Sequence, residues 1–270
     1  MPITKIIAHA KNRMIWRLFT TDDGCLLIEE REAADRRVVF SCLNFRSGKY
    51  LFEDLSLEEK YWAGIEAIHN GIICFHGYAQ PDMPVHKGIF AYDIKSARML
   101  WKRDDLTFFF ALNNDIYCYS QMFEGKEFFI LDSITGEKKK GLGENHTEVN
   151  QLKAEADILN AQTDLLFPVT GAGEDDETRE TVSGYLSMLG IEGVAEYIIT
   201  DSYFFCAVNV PSSGGYNTEF LVLARKAGKV VLHEKINKEI RLLAIDNFFI
   251  KGNHLFLLRE KQVIEVYHLN

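Results

Sequence analysis

The sequence predicts an all-β fold, and two observations support this. Apolar runs of strand length, rich in Ile, Val, Phe and Tyr, recur along the chain between turn residues. Many short strands at close spacing are typical of sandwiches, barrels and propellers. The predicted strands are Cys25–Ile28, Val38–Leu43, Ile72–Phe75, Ile89–Tyr92, Phe108–Leu112, Ile116–Tyr119, Phe128–Leu131, Phe204–Val210, Phe220–Ala224, Val230–Leu232, Leu255–Leu258 and Val263–Tyr267.

A repeated motif distinguishes among these architectures. It consists of a strand, a short turn that ends in Gly or a substitute, a charged residue and a second strand. The copies are Cys42–Phe52, Ala91–Trp101, Ile130–Glu137 and Val222–Leu232. Gly ends the turn at Gly48, Gly136 and Gly228, and Ala97 replaces it in the remaining copy. Because this turn needs a residue with positive φ, each copy predicts a hairpin.

The copy at Ala91–Trp101 resembles the blade signature of quinoprotein-type (PQQ-like) β-propellers, in which this turn joins the third strand of a blade to the outermost one. Ile130–Glu137 is similar to the first half of the signature, but Lys138-Lys139-Lys140 replaces the apolar strand. The whole chain also resembles a bacterial family of uncharacterised propeller proteins. These resemblances imply a fold and no activity. They do not extend to the PQQ cofactor, and no cofactor is predicted.

The two ends of the chain suggest how the predicted propeller closes. Asn12–Trp16 matches Ala97–Trp101 in register but has no third strand before it. Val263–Leu269 supplies a third strand without a following fourth. Pairing of the N-terminal strand with the C-terminal blade would therefore close one β-propeller domain over residues 1–270 and hide the edges of the sheets.

A helix is predicted near 174–190. Acidic residues at 174–177 precede apolar residues at i, i+3, i+4 and i+7 spacing, and Gly190 follows as a stop signal. The apolar residues are Val182, Tyr185, Leu186 and Leu189. Such a helix either packs on its own propeller or docks a partner.

The number of blades stays open between five and six. Gly136 and Gly228 are about two blade lengths apart, because a blade takes roughly 40–50 residues. Residues 143–192 between them form either a helical insertion into a ring of five four-stranded blades or a degenerate sixth blade.

Composition restricts the partners and the location. A net charge of −9 argues against nucleic-acid binding and against docking on an anionic membrane. No run of eighteen apolar residues or signal peptide is recognised. The five cysteines are scattered, with no CxxC pair, which indicates free thiols in a reducing compartment. We therefore expect a cytoplasmic protein.

The segment His76–Gly88 is the most unusual stretch, with two histidines, an acid and two prolines. It joins two predicted strands, and a rigid loop of this kind can hold a ligand. The predicted ligand-binding residues are His76, Tyr78, Asp82, His86 and Lys87. The spacing of the two histidines matches no standard pair of metal ligands, so no metal ligand is assigned. The alternative is an ordered hairpin that covers a hydrophobic edge.

No catalytic residue is assigned, because the GxSxG, HExxH, GxxxxGK[ST] and GxGxxG motifs are absent. We expect a non-catalytic propeller platform that binds an unidentified protein or small ligand. The alternative is a hydrolase or lyase with its site at the mouth of the central channel. It requires His76, His86 and acids of neighbouring loops to face one funnel, which spacing in sequence cannot show.

Overall fold

The computed structural model describes residues 3–80, 83–161, 164–170, 176–191 and 195–269. Strands account for 60% of the structure and helices for 10%. The fold is therefore mostly β, as predicted. The two described helices are both too short or too polar to cross a lipid bilayer.

The strands are β1 (Ile3–Ala10), β2 (Met14–Thr20), β3 (Cys25–Glu32), β4 (Arg37–Asn44), β5 (Lys49–Leu55), β6 (Ala63–His69), β7 (Ile72–Tyr78), β8 (His86–Asp93), β9 (Arg98–Arg103), β10 (Thr107–Leu112), β11 (Asp115–Gln121), β12 (Lys126–Asp132), β13 (Lys138–Gly143), β14 (Leu165–Leu166), β15 (Val169–Thr170), β16 (Ala195–Ile199), β17 (Tyr203–Ser212), β18 (Gly215–Ala224), β19 (Lys229–Ile240), β20 (Phe248–Lys251), β21 (His254–Arg259) and β22 (Val263–Leu269). The helices are α1 (His146–Ala161) and α2 (Asp176–Met188). Every strand predicted from the sequence lies within one of these elements.

The strands form four sheets in the described part of the chain. One contains β2–β5, and another contains the eight strands β6–β13. The remaining two have the orders β15-β16-β17-β18-β19 and β1-β22-β21-β20-β14. The eight-stranded sheet consists of two antiparallel halves, β6–β9 and β10–β13, which a single parallel bridge between Gly88 and Thr107 joins. Apart from β14 and β15, the strands therefore form five antiparallel groups of four, which we call repeats: β2–β5, β6–β9, β10–β13, β16–β19, and β20–β22 with β1.

The predicted closure is only partly right. The N-terminal strand does pair with the C-terminal one, since β1 and β22 are antiparallel neighbours. However, the four sheets do not join into one closed ring. The prediction of which N-terminal residues pair was also wrong. Asn12–Trp16 leads into β2, and β2 pairs with β3 rather than with the C-terminal strand. Asn12 has a φ of 58°, so the chain turns there from one sheet into the next.

Two compact units make up the chain. The first unit, residues 13–163, holds β2–β13 and α1, and the second unit holds residues 1–12 and 164–270. Each has its own apolar core. Buried core residues of the first unit include Leu27, Phe40, Ile65 and Phe75, and those of the second unit include Phe205, Phe220, Leu255 and Tyr267.

The repeated turn has the predicted conformation in all four copies. It closes the β4–β5, β8–β9, β12–β13 and β18–β19 hairpins. The marker residues have positive φ, with values of 71° at Gly48, 54° at Ala97, 70° at Gly136 and 58° at Gly228. The carboxylate of Asp132 accepts the backbone N–H groups of Ile134 and Thr135, which fixes the turn between β12 and β13. The lysines of β13 lie on an exposed outer strand, where polar side chains are tolerated.

The segment 143–192 does not contain a sixth repeat among its described residues. It contains α1, α2 and the short strands β14 and β15, which extend neighbouring sheets. Sequence reasoning missed α1. Asn145 caps its first turn by accepting the Glu148 backbone N–H, and Val149, Leu152 and Ala156 pack on the core.

The predicted helix near 174–190 is α2, although residues 174–175 lie outside the described part. Val182 is buried, and the other three predicted apolar residues pack with it against β16–β18 of the same unit. Gly190, with a φ of 67°, follows the helix as predicted. The apolar face is therefore covered by its own sheet.

Trp101 connects two consecutive repeats of the first unit. Its indole N–H donates to the Ser133 carbonyl at 3.0 Å. A methyl group at Gly136 would lie only 2.5 Å from Cδ2 of the indole. Glycine is therefore needed at position 136 for two reasons: the backbone has a positive φ, and an aromatic ring lies too close for a side chain.

We predict that Gly136→Ala lowers the free energy of unfolding more than Gly228→Ala does. Both substitutions place a side chain at positive φ, which costs about 1–2 kcal/mol. Only Gly136→Ala also overpacks a neighbour, for about 1–3 kcal/mol more, because a methyl group at Gly228 meets nothing within 4 Å. Urea unfolding of both variants measures this difference, and equal losses would contradict it.

A charged cluster fastens β1 to β22. The Lys5 ammonium and the Arg259 guanidinium each donate to the Glu265 carboxylate at 2.7 Å, and the Tyr267 hydroxyl donates at 2.8 Å. Burial raises the pKa of Glu265, but these hydrogen bonds outweigh burial and hold the pKa below its usual value. The carboxylate is therefore favoured in its charged form.

We predict that Glu265 stabilises the fold less in acid. The pKa of Glu265 in the folded state lies below its unfolded value of about 4.3. Its contribution to the free energy of unfolding is therefore complete above about pH 4.3, and it is lost as the pH falls through the folded-state pKa. Glu265→Gln should therefore lower the unfolding free energy more at pH 7 than at pH 3. Urea unfolding at both pH values measures the difference, with the exposed Glu137→Gln as control. A loss independent of pH would refute the prediction.

Candidate functional site

The predicted ligand-binding residues fall on the β7–β8 hairpin. His76 and Tyr78 belong to β7, and His86 and Lys87 belong to β8. Asp82 lies outside the described residues. Tyr78 and His86 are paired across the two strands, and Gly77 pairs with Lys87. The structure thus brings four of the predicted residues together.

The two histidines stack on each other. Their ring centroids are 3.5 Å apart with an angle of 15° between the planes. The Tyr78 ring meets both edge-on, at 5.1 Å from His76 and 5.5 Å from His86. His76 is buried, whereas the His86 side chain is 29% exposed. Ten residues apart in sequence, the histidines form one cluster because the hairpin folds back on itself.

Glu66 completes this cluster, and sequence reasoning missed it. Its carboxylate Oε2 lies 2.8 Å from His86 Nδ1 and 4.0 Å from His76 Nε2. The only signal in the sequence is an acid inside the otherwise apolar run Ala63–Ile68. That signal does not say which side of the sheet the acid faces.

Irregular pairing on both sides of β7 explains the convergence. Between Ile65 and Ala67 the β6–β7 register shifts, and Glu66 is the extra residue. The β7–β8 register shifts as well, opposite His76, where Gly88 has a φ of 82°. Such bulges bend a strand and re-aim side chains, and they are common beside functional sites.

His76 is held in one neutral tautomer. Its Nδ1 lies 3.1 Å from the Gly77 carbonyl oxygen, which can only accept, so Nδ1 carries the proton. Burial, with a contribution from the neighbouring His86, lowers the pKa of His76 to about 3. Nε2 therefore presents a lone pair, and this buried atom has no hydrogen-bond partner.

Gly64 makes room for the His76 ring. The two residues are paired across β6 and β7, and a methyl group at Gly64 would lie 2.8 Å from Nε2. The neighbouring Ile65 N–H donates to the buried Glu29 carboxylate at 3.1 Å, and Arg31 donates to the same carboxylate at 2.7 Å. This buried ion pair fixes the start of β6 against β3 and so supports the floor of the site.

A cleft of about 590 Å³ opens beside the cluster. Aromatic rings line it together with charged side chains. The rings are those of Trp62, Tyr78, Phe90 and Tyr92, and the charged residues are Glu58, Glu59, Lys87, Lys102 and Asp104. Tyr78 is shared, since it lines the cleft and also contacts both histidines.

Two local contacts shape the walls of the cleft. The Glu59 carboxylate accepts the backbone N–H groups of Tyr61 and Trp62 at 3.0 Å each, which fixes the backbone that carries Trp62. Burial raises the pKa of Glu59, but the backbone hydrogen bonds outweigh burial and lower it, so the group is charged at neutral pH. The Trp62 ring meets Tyr78 edge-on at 5.9 Å.

The cations of the cleft differ in their surroundings. The Lys102 ammonium lies 3.4 Å from Glu58 and 3.2 Å from Asp104. Lys87 is exposed and forms no ion pair among the described residues. Lys87 is therefore the cation that is available to a bound molecule.

Comparison with known proteins adds little to this picture. Residues 19–101, which include Glu66, His76 and His86, match the model of a domain of unknown function (DUF4905). No curated protein matches the chain.

Solved structures similar to this chain include β-propellers, at low similarity. The β-propeller domain of the Trilobed protease from Pyrococcus furiosus has 9% identity and a TM-score of 0.35, covering 95% of this chain and 71% of that one. An acylaminoacyl peptidase from Pyrococcus horikoshii has 10% identity and a TM-score of 0.35, covering 93% and 36%. A hypothetical protein from Leishmania major has 12% identity and a TM-score of 0.29, covering 97% and 87%.

Proposed function

We propose that this protein is a non-catalytic binding platform whose cleft beside the β7–β8 hairpin takes a small organic ligand. The observation that supports this proposal most directly is the cleft. Its volume of about 590 Å³ lies within the range of roughly 300–1,000 Å³ that is usual for small-molecule sites. Aromatic walls with a few charged groups are also the usual lining of such sites.

The lining suits a ligand with a flat apolar part, and Lys87 is the place for an anionic group, because the other charged groups of the cleft are three carboxylates and the ion-paired Lys102. Trp62 and Tyr78 offer ring surfaces for the flat part. Lys87, the cation without an ion pair among the described residues, offers its ammonium to the anion. An aromatic carboxylate is the simplest molecule with both features. Two of the predicted ligand-binding residues, Tyr78 and Lys87, would then contact it directly.

The alternative function is a hydrolase or lyase, and one observation favours it. Glu66 holds Nδ1 of His86 at 2.8 Å, the arrangement that orients a histidine as a general base. Among the described residues, no serine or cysteine side chain is hydrogen-bonded to either histidine. A hydrolase would therefore use His86 to activate a bound water, whereas a lyase would use it to remove a proton from the substrate.

The architecture that we propose for this platform is a single five-bladed, PQQ-like propeller of a bacterial cytoplasm. The turn that four repeats share supports the assignment of the repeats as blades, and the β1–β22 pairing completes the last of them. The buried, free cysteines support a reducing compartment, and burial raises the pKa of Cys74 to about 12, which suppresses its reactivity.

Small-angle X-ray scattering of the full chain tests whether it forms one compact domain. A compact domain of this length has a radius of gyration of about 18 Å. We expect a value close to this. A clearly larger value, with a scattering profile of two separate bodies, would refute the single propeller.

We predict that a ligand screen by thermal shift finds aromatic carboxylates among its hits. At 100 times its Kd, a ligand stabilises the native state by about 2.7 kcal/mol and so raises the Tm. Trp62→Phe should weaken this shift. Trp16→Phe is the matched control, since Trp16 is an exposed tryptophan outside the cleft, and it should leave the shift unchanged. Equal shifts in both variants, or no hit in the library, would contradict the proposal.

A further inference from the structure

We propose that Glu66, His76 and His86 form a binding site for a divalent transition-metal ion, with Zn²⁺ as the best match. The three residues come from the adjacent strands β6, β7 and β8, and their ligand atoms all lie within 4.8 Å of one another. Two imidazole nitrogens and one carboxylate oxygen are a ligand set that Zn²⁺ accepts, with a fourth position left for water or another molecule. The site uses atoms that the cleft proposal does not need.

The state of His76 points independently to a cation. Metal-binding histidines usually donate one ring N–H to a carbonyl or carboxylate, which fixes the other nitrogen as the ligand. His76 has this arrangement, since Nδ1–H donates to the Gly77 carbonyl and Nε2 is buried without a partner. An unpartnered buried acceptor costs free energy, which a bound cation would recover.

An acceptor, the Glu66 carboxylate, faces Nε2, and the nearby guanidinium groups of Arg17 and Arg31 donate to the carbonyls of Ile65 and Ala63 rather than to Nε2. The Glu66 carboxylate lies 4.0 Å from Nε2, and no proton of His76 remains to bridge the two atoms. Gly64, opposite His76, keeps the space beside Nε2 free of a side chain. Two lone-pair groups at this separation suit a metal ion that draws them together, because ligand bonds to Zn²⁺ are only about 2.0–2.2 Å long.

Coordination requires the ring of His86 to move. The lone pairs of two stacked, nearly parallel imidazoles do not converge on one point, so one ring must rotate. His76 is buried and fixed by Gly77, whereas His86 begins β8 and is partly exposed. We therefore expect metal binding to replace the His86–Glu66 hydrogen bond and to break the ring stack.

The ligand types also determine which ions should not bind. Ca²⁺ and Mg²⁺ prefer sites made of oxygen atoms, and Ca²⁺ takes six to eight of them. Two of the three ligands here are nitrogens. Zn²⁺ and Co²⁺ should therefore bind, and Ca²⁺ should not.

Isothermal titration of the purified full chain with Zn²⁺ tests the proposal. We expect one equivalent to bind, and Glu66→Gln and His86→Ala each to weaken the affinity by more than about 100-fold, because even the outer partners of metal ligands contribute 10- to 100-fold. Both positions are partly exposed, so the variants should fold, which circular dichroism checks. Co²⁺ absorption then reports the coordination geometry.

His233→Ala is the matched control. His233 lies 3.1 Å from Glu219 and so forms a similar pair, but without a third ligand among the described residues. It should leave Zn²⁺ affinity unchanged. No Zn²⁺ binding at micromolar concentrations, or the same affinity in native protein, Glu66→Gln and His86→Ala, would overturn the proposal. Trp62→Phe should bind Zn²⁺ normally, so failure of the cleft proposal and failure of the metal proposal are distinguishable.

Discussion

The fold depends on a residue of positive φ in the turn that closes four of the five repeats. A hairpin turn sets the register of its two strands, and register decides which side chains face the core. Three repeats use glycine for this turn, and the fourth forces Ala97 into the same conformation. With the turn fixed in this way, the outer strand can vary widely, as the lysines of β13 show.

The candidate site arises where this regular pairing is interrupted. β6 and β8 each contain an extra residue opposite β7. These bulges direct side chains of β6 and β8 toward β7, whereas a regular ladder would space them evenly. The result is a buried, neutral His76 between a carboxylate and a second imidazole. The supporting groups, Gly64 and the Glu29–Arg31 ion pair, serve to keep that arrangement from relaxing.

Local patterns predicted most of the fold. Strand runs and turns depend on neighbouring residues, and α2 was visible in the spacing from Val182 to Leu189. The helix α1 was also readable from Asn145 and Glu148, but its apolar stripe is short. Two kinds of feature could not be predicted from local patterns. β1 is interrupted by Lys5, whose partner is distant in sequence, and Glu66 joins the histidines through a bulge that composition does not encode.

The pairing of β1 with β22 has a consequence for synthesis. Lys5 and Glu265 are 260 positions apart, so β1 leaves the ribosome long before its partner strand exists. At roughly 5–20 residues per second, β1 waits for tens of seconds with neither edge paired, because β22 is its one neighbour in the described sheet. Its lysine and histidine then act as gatekeepers against premature association with other chains. The sheet that holds both strands is accordingly completed only after β22 has been synthesised, when the β2–β13 hairpins have had time to form.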